Sequence, residues 1–140
     1  MARFNFCGVI DKAMRFVTEE QLLQTDLWKR FVQQFREDAD YDAGWRGEFW
    51  GKMMRGACFV YSYSKDEELY QVLTNTIKDM LCVQEENGRV SSYDVSHEFD
   101  GWDMWGRKYV MLGMLHFYEI CKNEELKKKI IKALTDNCIK

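Results

Sequence analysis

The stretch WDMWGRKYVMLGMLHFYEIC, residues 102–121, has helical periodicity and is apolar nearly all round. A helix without a wet face must be surrounded by neighbouring elements, because its apolar surface needs cover on every side. Residues 45–63 form a second stretch of the same kind, with apolar side chains on most faces. Two such helices in one chain predict an all-helical fold with an inner layer.

The two buried stretches belong to an internal repeat with an offset of 57 residues. Each unit, near residues 45–82 and 102–139, consists of a buried helix, a tight turn and an amphipathic helix. A glycine that recurs in the middle of both buried helices predicts close helix–helix approach, because glycine there otherwise costs about 0.5–1 kcal/mol. The matching pairs include Trp45 with Trp102, Gly56 with Gly113, Tyr61 with Tyr118 and Asp79 with Asp136.

The amphipathic helices of the two units are residues 66–83 and 124–138, and two further helical segments, residues 9–17 and 19–36, precede the units. Thr18 is a predicted N-cap of the second segment, with Gln21 completing a capping box. Antiparallel hairpins of inner and outer helices stack into a solenoid or close into a double-layered ring. About two and a half hairpins cannot close a ring, so the helices at each end are expected to expose apolar surface.

Composition excludes several classes of protein. A net charge of −3, with 20 basic and 23 acidic residues interspersed, predicts neither a nucleic-acid partner nor a membrane partner. No stretch reaches the roughly 18 apolar residues of a membrane span, and the N-terminus does not resemble a signal peptide. Five cysteines, odd in number and widely spaced, predict reduced, buried thiols and a cytoplasmic location.

Side chains suited to sugars cluster where the two buried helices begin. The long connection at residues 84–101 contains the turn Asn87-Gly88 and is rich in hydroxyl, carboxylate and basic side chains. Tryptophan offers a flat apolar platform for the C–H face of a sugar, and charged groups bind its hydroxyls. Trp50 and Trp105 are predicted to face a pocket, whereas Trp45 and Trp102 could equally wedge the helix entries.

The sequence gives less support to an acid–base, metal-binding or nucleophilic site. Glu48, Glu98, Asp100 and Asp103 are candidate acids, but the sequence does not place them on opposite sides of a scissile bond. The two histidines, 19 residues apart, have no zinc spacing, and His116 is expected in the core. Cys58 is interpreted as a packing residue.

Several segments together resemble a known family. They are GWRGEFWGK (44–52), MLCVQ (80–84), NGRVSSY (87–93), EFDGWDMWGRKY (98–109) and LGML (112–115). In this order and spacing, they are similar to the first third of the beta-L-arabinofuranosidases, glycoside hydrolase family 127 and its relatives. The similarity extends from about Ile10 to the end.

The resemblance implies a partial (α/α)6 barrel, or α/α toroid, from a family of retaining exo-glycosidases. The family's zinc-held cysteine nucleophile and its glutamates lie beyond the matched region, so neither a catalytic residue nor a metal ligand is carried over. No cofactor is expected in this chain, since zinc belongs to the missing part of the barrel. The positions that match near the family's sugar site are Trp45, Glu48, Trp50, Asp103, Trp105 and Tyr109.

Three hypotheses follow from these observations. The first is an N-terminal fragment of a glycosidase that lines part of a pocket for an arabinofuranoside-type carbohydrate and is inactive alone. The second is a stand-alone helical-repeat module that binds a carbohydrate or a peptide. The third is a homo-oligomer that covers its exposed apolar helix faces with a second copy.

Family members with zinc often carry a histidine-containing motif at the positions of residues 102–109. Its absence from this sequence leaves the identity of the substrate open.

Overall fold

The fold is entirely helical over residues 7–38 and 47–139, the part of the chain that the computed structural model describes. None of these residues forms a β-strand, as the sequence predicts. A π-helical turn, Thr18–Leu22, follows the first helix, and a short 3-10 turn, Val95–His97, lies in the long connection. The helices are α1 Val9–Val17, α2 Thr25–Glu37, α3 Gly47–Ser64, α4 Glu67–Leu81, α5 Asp103–Ile120 and α6 Glu124–Ile139.

The inner helices α3 and α5 lie side by side and run in the same direction. Trp105 bonds to Glu48 at their N-terminal ends, and the rings of Phe59 and His116 meet near their C-terminal ends, 5.1 Å apart. Both pairs are separated by 57 residues, the offset of the sequence repeat. The repeat therefore relates two neighbouring parallel helices.

Glycines bring these two helices together. A Cβ on Gly113 would lie 3.0 Å from the Cα of Gly51, and a Cβ on Gly51 would overlap the carbonyl of Tyr109. The prediction that Gly113 lies at a close helix–helix approach is confirmed. Its contact on α3 is Gly51, which the repeat does not single out.

The same prediction is wrong for Gly56, which is exposed and would meet no atom within 4 Å if it carried a Cβ. The repeat places Gly56 on the side of α3 that faces the preceding part of the chain. The irregular turn at residues 18–22 packs there instead of a regular inner helix. It leaves an apolar groove of about 380 Å³ between Val17, Leu22 and Gly56.

The second predicted helix, residues 19–36, is wrong in its first third. The chain makes a π-helical turn and then breaks before α2 begins at Thr25. Thr18 is not an N-cap: its backbone is helical and its hydroxyl donates to the carbonyl of Met14 at 2.8 Å. The buried indole of Trp28 donates to the carbonyl of Leu22 at 2.8 Å and so satisfies an acceptor at the break.

The outer helices cover the inner pair from one side. Helix α4 is capped by Asp66, whose carboxylate accepts a hydrogen bond from the backbone N–H of Leu69 at 3.1 Å, and it contacts α2, α3, α5 and α6. Its predicted apolar face is buried, including Leu73 and Ile77. The core thus lies between α3 and α5 on one side and the outer helices on the other. No helix in the described ranges is both long and apolar enough to cross a membrane.

Candidate functional site

The N-terminal ends of α3 and α5 meet around a buried carboxylate. Glu48, in the first turn of α3, is only 2% exposed. It accepts a hydrogen bond from the indole N–H of Trp105 and a charged hydrogen bond from Lys52, one turn along, at 2.6 Å. A buried charge must be paired in this way, because desolvation otherwise disfavours it strongly. Glu48 therefore fixes the orientation of the Trp105 ring.

Trp105 is the centre of an aromatic cluster with one open side. Its side chain is 36% exposed, and its edges pack on Trp102 and Tyr109 with ring centroids 5.9 and 5.3 Å apart. The interplanar angles of 69° and 70° are those of edge-to-face packing. This cluster, Trp102, Trp105 and Tyr109, is called the aromatic platform below.

Two lysines lie against the platform. The ammonium of Lys108 is 3.2 Å from the centroid of Trp105 and 4.4 Å from that of Tyr109. The ammonium of Lys52 is 4.7 Å from the centroid of Tyr109, from its position beside Glu48. These three contacts of the two lysines are cation–π contacts, in which the ring face attracts the positive charge.

The crevice behind the platform is closed. It is bordered by residues of both helix starts and of the long connection, among them Glu48, Tyr93 and Trp102, and its volume is about 10 Å³. A monosaccharide does not fit in that volume, since ligand pockets measure about 300–1,000 Å³. At the described N-terminal ends of α3 and α5, a sugar would therefore bind on the open side of Trp105 and Tyr109 and not in the crevice.

Asp103 lies behind the platform, 1% exposed. Its carboxylate accepts hydrogen bonds from the Ser91 hydroxyl, from the backbone N–H of Phe99 at 2.9 Å and from Arg107 Nε at 3.1 Å. These donors come from the long connection and from α5 itself. Asp103 therefore ties the connection to the start of α5, and it is not part of the open surface.

Two buried arginines complete this attachment. Arg107 pairs with Glu98 at 2.6 Å, and the same carboxylate lies 3.5 Å from Arg89 Nε. Burial alone lowers the pKa of Arg107, but the hydrogen bonds that Arg107 donates to Glu98 and Asp103, together with their negative charges, outweigh burial and raise its pKa. Arg89 also bonds to Glu85 and to the carbonyl of Tyr93. Much of the polarity that predicted sugar binding in this connection instead holds the connection in place.

Trp50 does not join the platform. It is completely buried and donates from its indole to the hydroxyl of Thr76 on α4 at 2.9 Å. Its side chain therefore lies in the core between α3 and α4, away from its predicted place in the pocket wall. Trp45, the remaining predicted site residue, lies outside the described residues.

Other reactive groups lie apart from the platform. Cys58 is buried and contacts Met54, and burial raises the pKa of its thiol to about 12, so it is poorly suited to nucleophilic attack. His116 is half-buried against Phe59, and its Nδ1 is 3.7 Å from Glu119, so its predicted core position is wrong. Over residues 7–38 and 47–139, no group of three or more His, Cys, Asp or Glu could hold a metal ion.

Sequence reasoning found Glu48, Trp105 and Tyr109, which the fold brings together, but it missed the lysines beside them. Lys52 and Lys108 are separated from Glu48 and from Trp105 by four and three positions. Side chains at these spacings share one face of a helix, so the spacing alone could have placed Lys52 beside Glu48 and Lys108 beside Trp105.

A family model described as "Beta-L-arabinofuranosidase, GH127 catalytic domain" matches residues 9–138 of the chain. This range includes all six helices except the last residue of α6. The comparisons with curated proteins and with solved structures gave no match.

Proposed function

Because the chain belongs to the GH127 beta-L-arabinofuranosidase family, we propose that it forms part of the sugar-binding wall of a glycoside hydrolase. Its paired helices would be one section of an (α/α)6 barrel. In this arrangement the N-terminal ends of the inner helices α3 and α5 border the pocket. The proposal is supported by the family match and by the position of the aromatic platform at those ends.

The observation that carries the proposal is the fixed, half-open indole of Trp105. Its N–H is held by buried Glu48, and its edges are held by Trp102 and Tyr109. A ring that is held in place loses little conformational entropy when a ligand stacks on it. Such a surface suits the apolar C–H face of a sugar ring.

We further propose that this chain alone does not hydrolyse glycosides. The resemblance implies that this family uses a zinc-held cysteine nucleophile with a glutamate as acid/base, whereas most other glycosidases use two carboxyl groups about 5–9.5 Å apart. Glu48 is the carboxylate at the platform, and it is buried and bonded to Lys52 and Trp105. The family implies zinc, but the described residues offer no cluster that fits it. The catalytic groups would come from further polypeptide.

An uncovered side of α5 supports the need for a neighbour. The repeat relates Met104 and Leu115 of α5 to Gly47 and Cys58 of α3. The two residues of α3 are buried, whereas Met104 and Leu115 are 55% and 43% exposed. The side of α5 that corresponds to a covered side of α3 is thus both open and apolar. We propose that a further hairpin or a second copy of the chain packs against it.

The cytoplasmic location stays a proposal. It is supported by the five cysteines, all of them free in the structure. Two are buried, but Cys7, Cys82 and Cys138 are exposed, so the prediction of buried thiols holds for Cys58 and Cys121 alone. Exposed, unpaired thiols are typical of a reducing compartment.

A titration with methyl β-L-arabinofuranoside tests the sugar site. We expect saturable shifts of the Trp105 indole N–H signal in NMR spectra, lost in Trp105→Ala. Phe59→Ala, an exposed aromatic near the other end of α3, is the matched control and should leave binding unchanged.

The same preparation tests catalysis. We expect no turnover of a chromogenic β-L-arabinofuranoside by the chain alone. Turnover would contradict the proposed dependence on further polypeptide. Failure of this sugar and related sugars to perturb Trp105 would overturn the sugar-binding wall itself.

The alternative function, a stand-alone carbohydrate-binding module, would also give saturable binding without turnover. Addition of the remaining barrel separates the two functions, because only a part of a glycosidase would gain turnover.

A further inference from the structure

We propose that the aromatic platform binds an anionic sugar, one that carries a carboxylate, in preference to a neutral sugar. This inference rests on the proposed sugar-binding function and specifies its substrate class. It is carried by the position and pairing of two lysines, Lys52 and Lys108, beside the rings of Trp105 and Tyr109.

The charges at the platform do not cancel. Lys52 and Lys108 each contribute one positive charge within 5 Å of the centroid of Tyr109, and Glu48 contributes one negative charge. Glu48 is already paired with Lys52 at 2.6 Å. Within the described part of the chain, no carboxylate forms an ion pair with Lys108. Among the described residues, the platform therefore has a net positive charge that is centred on Lys108.

The place of Lys108 makes this charge relevant to ligand binding. Its ammonium lies over the face of Trp105 at 3.2 Å, which is where the C–H face of a sugar would stack. A ligand that uses this face must move the ammonium aside. Because Lys108 is exposed and its stem is flexible, the movement needs no change in the fold.

Neutral and anionic sugars differ in the hydrogen bond that each can form with the displaced Lys108 ammonium. A neutral sugar replaces the cation–π contact with a hydroxyl oxygen that accepts an ordinary hydrogen bond from the ammonium. A carboxylate replaces it with a charge-assisted hydrogen bond, which is stronger than a neutral one. Displacement of Lys108 therefore lowers the affinity for a neutral sugar more than the affinity for an anionic one. This difference in affinity is the expected preference.

Binding of methyl α-D-galacturonoside and methyl α-D-galactoside to the full chain tests the inference, since the two probes differ at C6 as carboxylate and hydroxymethyl. We expect the uronate to bind more tightly by up to about fivefold, the upper end of the range of an exposed ion pair. Added salt should narrow the difference, because the pair is accessible to counterions. Shifts of the Trp105 indole signal report binding at the platform.

Lys108→Met keeps the length of the stem and removes the charge, so we expect the preference to disappear. Lys128→Met is the matched control, since Lys128 is an exposed lysine on α6 that pairs with Glu125, and it should keep the preference. A sulfated probe, methyl galactoside 6-sulfate, shows whether a carboxylate is required. Equal binding of uronate and sulfate would overturn the carboxylate part of the proposal.

The outcomes separate this inference from the proposed function. Equal affinity of the wild-type chain for the uronate and the neutral galactoside, with Trp105 perturbed by both, would overturn the anionic preference and leave the sugar site intact. A preference that survives Lys108→Met would also overturn it, because another group would be responsible. Absence of any Trp105 shift with every sugar would overturn both proposals together.

Discussion

At the scale of single residues, two glycines of the same sequence repeat have opposite roles. A Cβ on Gly113 would press on Gly51 at 3.0 Å from its Cα and 3.1 Å from its carbonyl oxygen, whereas a Cβ on Gly56 would meet nothing within 4 Å. The tight site lacks room because two backbones face each other there. At Gly56, which has room for a methyl group, glycine only lowers helix stability.

Alanine substitutions at these two positions should therefore shift stability in opposite directions. We expect Gly113→Ala to lower the free energy of unfolding by about 1–3 kcal/mol, as overpacking does. Gly56→Ala should raise it by about 0.5–1 kcal/mol, because alanine is the better helix former. Urea unfolding followed by circular dichroism measures both. A Gly113→Ala variant as stable as the wild type would contradict the packing of α3 on α5 described above, and a loss of stability in Gly56→Ala would contradict the open position of Gly56.

The sequence could predict Gly113 at a helix contact, but not its partner. Recurrence of glycine in both repeat units indicates a shared constraint, and that constraint holds only where a regular inner helix lies alongside. Gly51 has no glycine counterpart, since the equivalent position in α5 is Lys108. The sequence predicted Glu48 and Trp105 in one candidate site, where the fold brings them together, but it did not predict Trp50 as a core residue. Only the backbone geometry shows which side of α3 faces α4.

At the scale of elements, the connection between α4 and α5 is held by buried polar groups instead of regular backbone structure. Asp103 receives bonds from Ser91, Phe99 and Arg107. The sequence indicated a long polar connection and left its role open, because the same side chains could bind sugar or one another. Burial of Ser91 and Asp103 settles this for both residues.

Removal of the Asp103 carboxylate should loosen the connection. Asp103→Ala would leave the donors of Ser91, Phe99 and Arg107 without their acceptor, although Arg107 keeps Glu98. We expect the free energy of unfolding to fall by about 2–3 kcal/mol. Amide hydrogen exchange should also accelerate over residues 91–99. Asp100→Ala, at an exposed position in the same connection, should change neither quantity, and equal losses in the two variants would contradict the role given to Asp103.

At the scale of the whole molecule, the all-helical class followed from helical periodicity alone. The break before α2 did not follow from it, because Leu23, Leu27, Phe31 and Phe35 keep an unbroken four-residue spacing across it. The burial pattern differs: Trp28, Val32 and Phe35 are buried, whereas Leu23 and Leu27 are half-buried. Tertiary packing of one large indole overrides local periodicity here.

Both ends of the helical array expose apolar side chains, and this geometry favours self-association. Leu115 and Met104 lie on the open side of α5, while Ile10 and Phe16 are exposed on α1 at 54% and 64%. A second copy placed head to tail could cover the α5 side of one protomer with the α1 end of the other. The six helices described in each copy would then make twelve, the number in the proposed (α/α)6 ring, so the contact could repeat and close with two-fold symmetry.

This arrangement predicts a particular response to one charged substitution. We expect the sedimentation coefficient of the wild-type chain to rise with concentration, and its melting temperature to rise too, because association stabilises the folded state by mass action. Leu115→Lys should abolish both trends, since a charge in an apolar contact is costly to desolvate. Val95→Lys, at another exposed apolar position, in the long connection, should preserve them. A wild-type chain that sediments as a monomer at every concentration would exclude the second copy and leave a further hairpin of polypeptide as the proposed cover for α5.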